Sequence, residues 1–388
     1  MVNIGFRIEK AARQAARPVF ILCILCALVG LLTVNPLLTL CGFIIPPVLT
    51  LLLWRAGEPP VLLFAVGYQW VQVFVPVLNA DMLGVHVGGN KNFPGLEFAA
   101  WLGLLSIIVL AIGMRFGVRG SKYLTNNDAL NEWSSQLDVK QVMVCYLTSY
   151  VVAYLSFSLT AIFPGVEQVA VTLSYASTMM LFLIFWAALR YKRFRLIGYF
   201  TFFLEILLGF GGFFADFKGV IYLFFVIYLG RPQRSVSLVG PRSIVLVVFV
   251  LFLGSTWQAI KVDYRAYLNQ GTKTQTVLVD LSERVNYLVD AAEALQWKNL
   301  TKGLESIAGR IGYLEFFARS TTRVPRNIPY QDGRLWGEAI SHVLRPRIFF
   351  PDKEAISDSK RTNEFTGLRV ASAGEGASIS IGYIGESY

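Results

Sequence analysis

The apolar positions of this chain come in long, nearly unbroken blocks rather than at helical or strand spacing. A helix needs about 20 mostly apolar residues to cross the hydrocarbon core of a bilayer. Blocks of that kind predict spans near 18–34, 36–54, 61–79, 96–114, 141–163, 169–189, 196–214, 216–230 and 243–260. Asn35-Pro36 separates the first two and predicts a tight hairpin, while the shortness of the eighth predicts a tilted, broken or partly re-entrant helix. From about 261 the pattern changes. Val277, Leu278, Leu281, Val285, Leu288, Val289, Ala292 and Leu295 recur at three and four, which gives one apolar stripe on a helix. Leu300, Leu304, Ile307, Ile311, Leu314 and Phe317 repeat the pattern after a break at Trp297-Lys298-Asn299. Two helices packed as a hairpin over the membrane face are expected. After Arg323 the stretch "RVPRNIPYQDGRLWG" carries proline and glycine and few regular signals. The final "ISIGYIGESY" turns apolar again, as if entering a tenth span, and predicts a chain that stops short of further spans.

The expected fold class is therefore an all-α polytopic membrane protein, with about nine transmembrane helices and a large, partly helical extracytoplasmic loop domain. Its expected divisions are a transmembrane domain over 1–260, the loop domain over 261–378, and the start of a further span over 379–388. Composition agrees: the chain is 55% hydrophobic and 15% charged, against about a quarter charged in soluble domains. Orientation follows from lysine and arginine. The loops on the amino-terminal side hold 16 of them and the opposite short loops only Lys91 and Lys218, which places the amino terminus in the cytoplasm. Everything after the ninth span then lies outside, with 17 Lys/Arg and 15 Asp/Glu. The net charge of +10 follows this topology and is no sign of nucleic-acid binding.

Several motifs fall away. Cys23-x-x-Cys26 lies in an apolar run, where thiols act as small hydrophobes. No His/Cys/carboxylate cluster has metal spacing, so no metal or cofactor is expected. "SAGEGAS" (372–378) lacks the Gly-Lys-Ser/Thr ending of a nucleotide loop. Glu205 lies within a span, where it could line a polar cavity or bond between helices.

Asp216 and Lys218 stand at the outer mouth between the seventh and eighth spans. On one reading Lys218 reaches the interface and Asp216 pairs with it. On the other, Lys218 and Gly219 open a helix whose ammonium, free N–H groups and dipole suit a pyrophosphate. Seven arginines (Arg310, Arg319, Arg323, Arg326, Arg334, Arg345 and Arg347) give the outer region a second cationic set. Guanidinium forks match phosphate oxygens, although a solvated face is the ordinary state of any one of them. His342 is the only histidine of that region. It is of the type that serves as a base near neutral pH, but a surface or satisfied role is commoner.

"LRPRIFFPDKEA" (344–355), "EFTGL" (364–368) and "ASAGEGASISIGYIGESY" (371–388) resemble the Wzy-type O-antigen polymerase-like family, the oligosaccharide repeat-unit polymerases of bacterial surface polysaccharides. Pro346, Arg347, Pro351, Asp352 and Lys353 match the family's periplasmic stretch, and Glu354 stands where proline is common. "DFKGVIYLFF" (216–225) looks like the family's turn between two spans, with Phe217 in place of a small residue. "GRIGYLEFF" (309–317) looks like its arginine-bearing helix. The resemblance implies a membrane-embedded glycosyltransferase at the outer face of the bacterial inner membrane. It would join undecaprenyl-pyrophosphate-linked oligosaccharide units into an O-antigen or exopolysaccharide, with a flippase and a chain-length regulator as partners. It further implies Lys218, Arg310, Arg345, Arg347 and Lys353 as substrate-binding residues, and His342, Asp352 or Glu375 as the catalytic base. A ligase of the same architecture is a rival reading. A transporter or flippase of lipid-linked sugars is another, but it would normally show repeat symmetry and polar midplane residues in several spans.

Overall fold

Each apolar block becomes a helix. The computed structural model describes residues 17–54, 59–89, 94–118, 136–160, 163, 166–210, 217–230, 241–272, 277–346, 349–350, 353, 356–370 and 379–388. The apolar helices are α1 (Arg17–Gly30), α2 (Pro36–Leu53), α3 (Val61–Met82), α4 (Leu96–Gly117), α5 (Val139–Thr160), α6 (Glu167–Arg190), α7 (Arg195–Phe210), α8 (Phe217–Leu229) and α9 (Pro241–Leu268). Five of them, α2 to α6, are long and apolar enough to cross a bilayer, so the chain is an all-helical membrane protein. Among the described residues there is no strand. Helix α8, with 13 residues, measures roughly 20 Å at 1.5 Å per residue, short of the ~30 Å of a hydrocarbon core.

Buried contacts order these helices. Phe74 of α3 lies over Gly42 of α2 and meets Phe43 edge-on at 5.0 Å, while Trp70 Nε1 donates to the Gly42 carbonyl at 2.8 Å. Helices α2, α3 and α4 share one apolar core. A second core gathers α5, α6 and α8, and a third joins Phe217 and Ile221 of α8 to Trp257, Tyr264 and Leu268 of α9. At the α1–α2 turn, the Asn35 backbone N–H and side-chain amide both donate to Asp81, as does Thr39. The expected turn at Asn35-Pro36 is thus locked to the end of α3.

After α9 come α10 (Leu281–Glu293), α11 (Trp297–Ile311), α12 (Leu314–Arg323), α13 (Arg334–Leu344), α14 (Asp358–Thr366) and α15 (Tyr383–Ser387). Both expected helices form, but they pack on α9 rather than on each other as a hairpin, and three boundaries differ. Helix α9 runs on to Leu268, past the apolar block that ended at 260. The break between the pair falls before Trp297, and a second break at 312–313 detaches Leu314 and Phe317 into α12. Helices α10 and α11 each pack on α9: Tyr287 stacks on Tyr267 at 4.5 Å, and α11 runs along α9 and touches α3.

Helix α12 is seated against the apolar bundle. Tyr313 N–H donates to the carbonyl of Gln72, midway along α3, at 3.3 Å. Leu314, Phe317 and Ala318 are buried in the α2–α3–α4 core, and Ile384 of α15 joins them. The Tyr383 hydroxyl donates to the carbonyl of Ser106, midway along α4, at 3.4 Å. Composition hid this, because "LEFFARSTTR" reads as an ordinary surface helix. Helix α13 arises in the stretch read as irregular, its pattern masked by Gly337 and the prolines before it.

Candidate anion site

The site is assembled on α9. Trp257, Lys261 and Arg265 are spaced at four, so they share one face of the helix. The start of α8 is fixed there by Phe217, buried with its ring 5.8 Å from that of Trp257. The next residue, Lys218, holds its Nζ 5.5 Å from the Trp257 ring centre and 6.0 Å from that of Phe217. Both separations suit a cation over an aromatic face.

Helix α11 brings the fourth cation. Gly303 lets it approach closely: a Cβ there would sit 2.4 Å from the Ser255 carbonyl oxygen of α9. The Ser255 hydroxyl donates to the Leu300 carbonyl, fastening the same crossing. Two turns on, at i+7 from Gly303, Arg310 comes within electrostatic reach of both Lys261 and Arg265. The cluster is Lys218, Lys261, Arg265 and Arg310.

Lys261 is the group that needs an explanation. Only 5% of it is exposed, and among the described residues no hydrogen bond or carboxylate holds it. It stands one residue beyond the predicted ninth span. Burial, and then the charges of Arg310, Arg265 and Lys218, lower its ammonium from the ordinary lysine value to about 8. Burial and Arg310 also lower Arg265. A buried ammonium beside other cations is destabilising by itself and attractive to a multivalent anion; Arg310, on the exposed side of α11, borders the solvent face of the group.

The sequence pointed to Lys218 and Arg310, and the structure brings them together around Lys261. It missed Lys261 and Arg265 because α9 was ended where its polar residues begin. The four-residue spacing from Trp257 was the available signal. Three other candidates, His342, Arg345 and Lys353, gather elsewhere, at the end of α13. Lys353 Nζ donates to the carbonyls of His342 and Arg345 at 2.6 and 2.7 Å, which satisfies the last turn of that helix. Arg345 itself is exposed. Arg347, Asp352 and Glu375 lie outside the described residues, as does Asp216, the proposed partner of Lys218. Among the described residues no group of His, Cys, Asp and Glu could hold a metal ion.

Two further polar features accompany the cluster. A cavity of about 260 Å³ lies between α12, α13 and α15, lined by Tyr330, Trp336 and Tyr388 together with Gln331, Asp332 and Glu386. Glu205 of α7 is buried and accepts hydrogen bonds from the hydroxyls of Tyr146 and Tyr150 of α5. That is bonding from helix to helix, which satisfies a polar group among apolar helices.

Fold and site define a helical membrane protein with a cationic cluster where α8, α9 and α11 meet. Residues 109–374 match the family model described as a domain of unknown function (DUF8712), and the chain belongs to that family. No curated protein and no solved structure matches it.

Proposed function

We propose that this protein is a membrane-embedded glycosyltransferase that polymerises lipid-diphosphate-linked oligosaccharide repeat units. In this reading nine helices span the bacterial inner membrane, the amino terminus is cytoplasmic and the chain from 261 works on the outer side. The observation that carries it is Lys261, a buried ammonium with no carboxylate partner among the described residues and three cations around it. A diphosphate ester is an anion of the right valence for such a cluster. It is also the leaving group of a glycosyl transfer from a lipid-linked donor, so the same charges that bind it in the ground state stabilise it as it departs. Lys218, Lys261, Arg265 and Arg310 hold the diphosphate, and no metal is required. The sugar end of the donor and the acceptor extend toward α12 to α15, where Tyr330, Asp332, Glu386 and Tyr388 of the 260 Å³ cavity have the chemistry of a sugar site. His342, Asp352 and Glu375 are the candidates for taking the acceptor proton.

The test is reconstitution in nanodiscs with an undecaprenyl-diphosphate-linked oligosaccharide. A ladder of products differing by one repeat is expected, together with binding of undecaprenyl diphosphate that weakens about 10- to 100-fold in Lys261→Gln and in Arg310→Gln, the worth of a charged hydrogen bond. Movement of the lipid-linked sugar between leaflets without chain growth would identify a transporter instead. Undiminished diphosphate binding in both variants would overturn the site.

A further inference from the structure

Helix α13 is amphipathic with its apolar side turned outward. Trp336, Ile340, Val343 and Leu344 fall at i, i+4, i+7 and i+8, an arc about 100° wide. They are 47%, 58%, 78% and 74% exposed, and no residue of α13 is buried. Arg334, Glu338 and Arg345 occupy the opposite side. The helix is tied to the rest of the molecule away from that arc: Arg361 of α14 pairs with Glu338 at 3.2 Å, and Leu335 packs against the Val324, Phe365 and Ile381 cluster. Beyond the helix, exposed Phe349 and Phe350 lengthen the apolar surface.

The position of α13 says what covers this surface. Tyr388, at the end of α15, meets Phe98 in the first turn of α4 at 6.3 Å, Phe317 at 5.8 Å and Tyr330, just before α13, at 5.6 Å. These rings hold α13 level with the end of α4, one of the helices fit to cross the bilayer. That level is the membrane–water interface. A short helix with a tryptophan and aliphatic side chains on one face and arginines on the other has the composition of a helix lying in that interface, and Arg334 and Arg345 complement anionic headgroups.

We propose that α13, with Phe349 and Phe350, lies in the interfacial layer of the leaflet at the amino-terminal end of α4, its apolar arc among acyl chains and its arginines at the phosphates. The partner is phospholipid of the bilayer that the helical bundle crosses. This holds whatever reaction the protein performs.

The full chain is placed in nanodiscs of phosphatidylethanolamine and phosphatidylglycerol with a benzophenone amino acid at Val343 or, as control, at exposed Lys360 of α14. Illumination is expected to give a phospholipid adduct at Val343 and none at Lys360. In parallel, the fluorescence lost in Trp336→Phe isolates the signal of Trp336, and brominated acyl chains are expected to quench it. A Val343 crosslink to a second copy of the chain, absence of a lipid adduct, or an unquenched Trp336 signal would each overturn the proposal.

Discussion

Lys261 carries a charge where charge is costly, and its cost depends on pH in a defined direction. Its ammonium titrates near 8 in the folded protein and near 10.4 in an unfolded chain. Below about 8 both states hold the proton and the destabilisation is fully present. Between about 8 and 10.4 the folded state has released a proton that the unfolded state keeps, so stability rises with pH. Lys261→Met is expected to melt higher than wild type at pH 7 and to lose that rise, while its diphosphate affinity drops. A bound anion must restore the proton, so wild-type affinity falls as pH rises past about 8, and the variant flattens the profile. Melting curves and diphosphate binding across about pH 6 to 10 check both. A purely structural lysine would show no affinity change.

Glu205 poses the opposite problem, an acid within the bundle that the structure does supply with partners. Tyr146→Phe leaves its carboxylate with one of two tyrosine donors. The expected loss is about 1–3 kcal/mol of stability, read by thermal unfolding in detergent, with diphosphate binding unchanged.

At the scale of elements, the approach of α11 to α9 decides whether Arg310 reaches its partners. Gly303→Val would drive a side chain into the Ser255 carbonyl, backbone that cannot turn aside. Helix α11 is expected to lift off α9, and diphosphate affinity to fall about as far as in Arg310→Gln, roughly 10- to 100-fold. Binding measured beside the Lys261 variant tests this.

Elements also show what was legible in the sequence. Blocks of apolar residues announce bundle helices because lipid imposes one length and one composition. Lys218 was legible for the same reason, as an ionisable group among phenylalanines. Lys261 was not, since the first lysine after a span looks like the start of a loop, and helix continuation is decided by Tyr264 and Leu268 packing on α8. The seat of α12 was hidden too. Its apolar residues number no more than a surface helix carries, and only their burial in the α2–α3–α4 core shows what they fit.

For the whole molecule, the placement of lysine and arginine makes a prediction that the helices alone do not. Single cysteines at Thr125 and Ser235, between predicted spans on the amino-terminal side, are expected to be shielded from an impermeant thiol reagent in intact cells. On the proposed placement in a bacterial inner membrane, one at Ser387 of α15 is expected to react once the outer membrane is opened, with the native cysteines replaced by serine or alanine. Labelling of Thr125 and protection of Ser387 would invert the topology.

The docking of α12 onto Gln72 has a consequence for how this chain is made. Residues 261–388 are no autonomous lobe, because Leu314, Phe317 and Ile384 find their neighbours on helices synthesised more than two hundred residues earlier. The translocation machinery must therefore have delivered α3 and α4 side by side before the last third of the polypeptide can settle. Secreted alone, that third would present a greasy edge to water and would aggregate or recruit a chaperone.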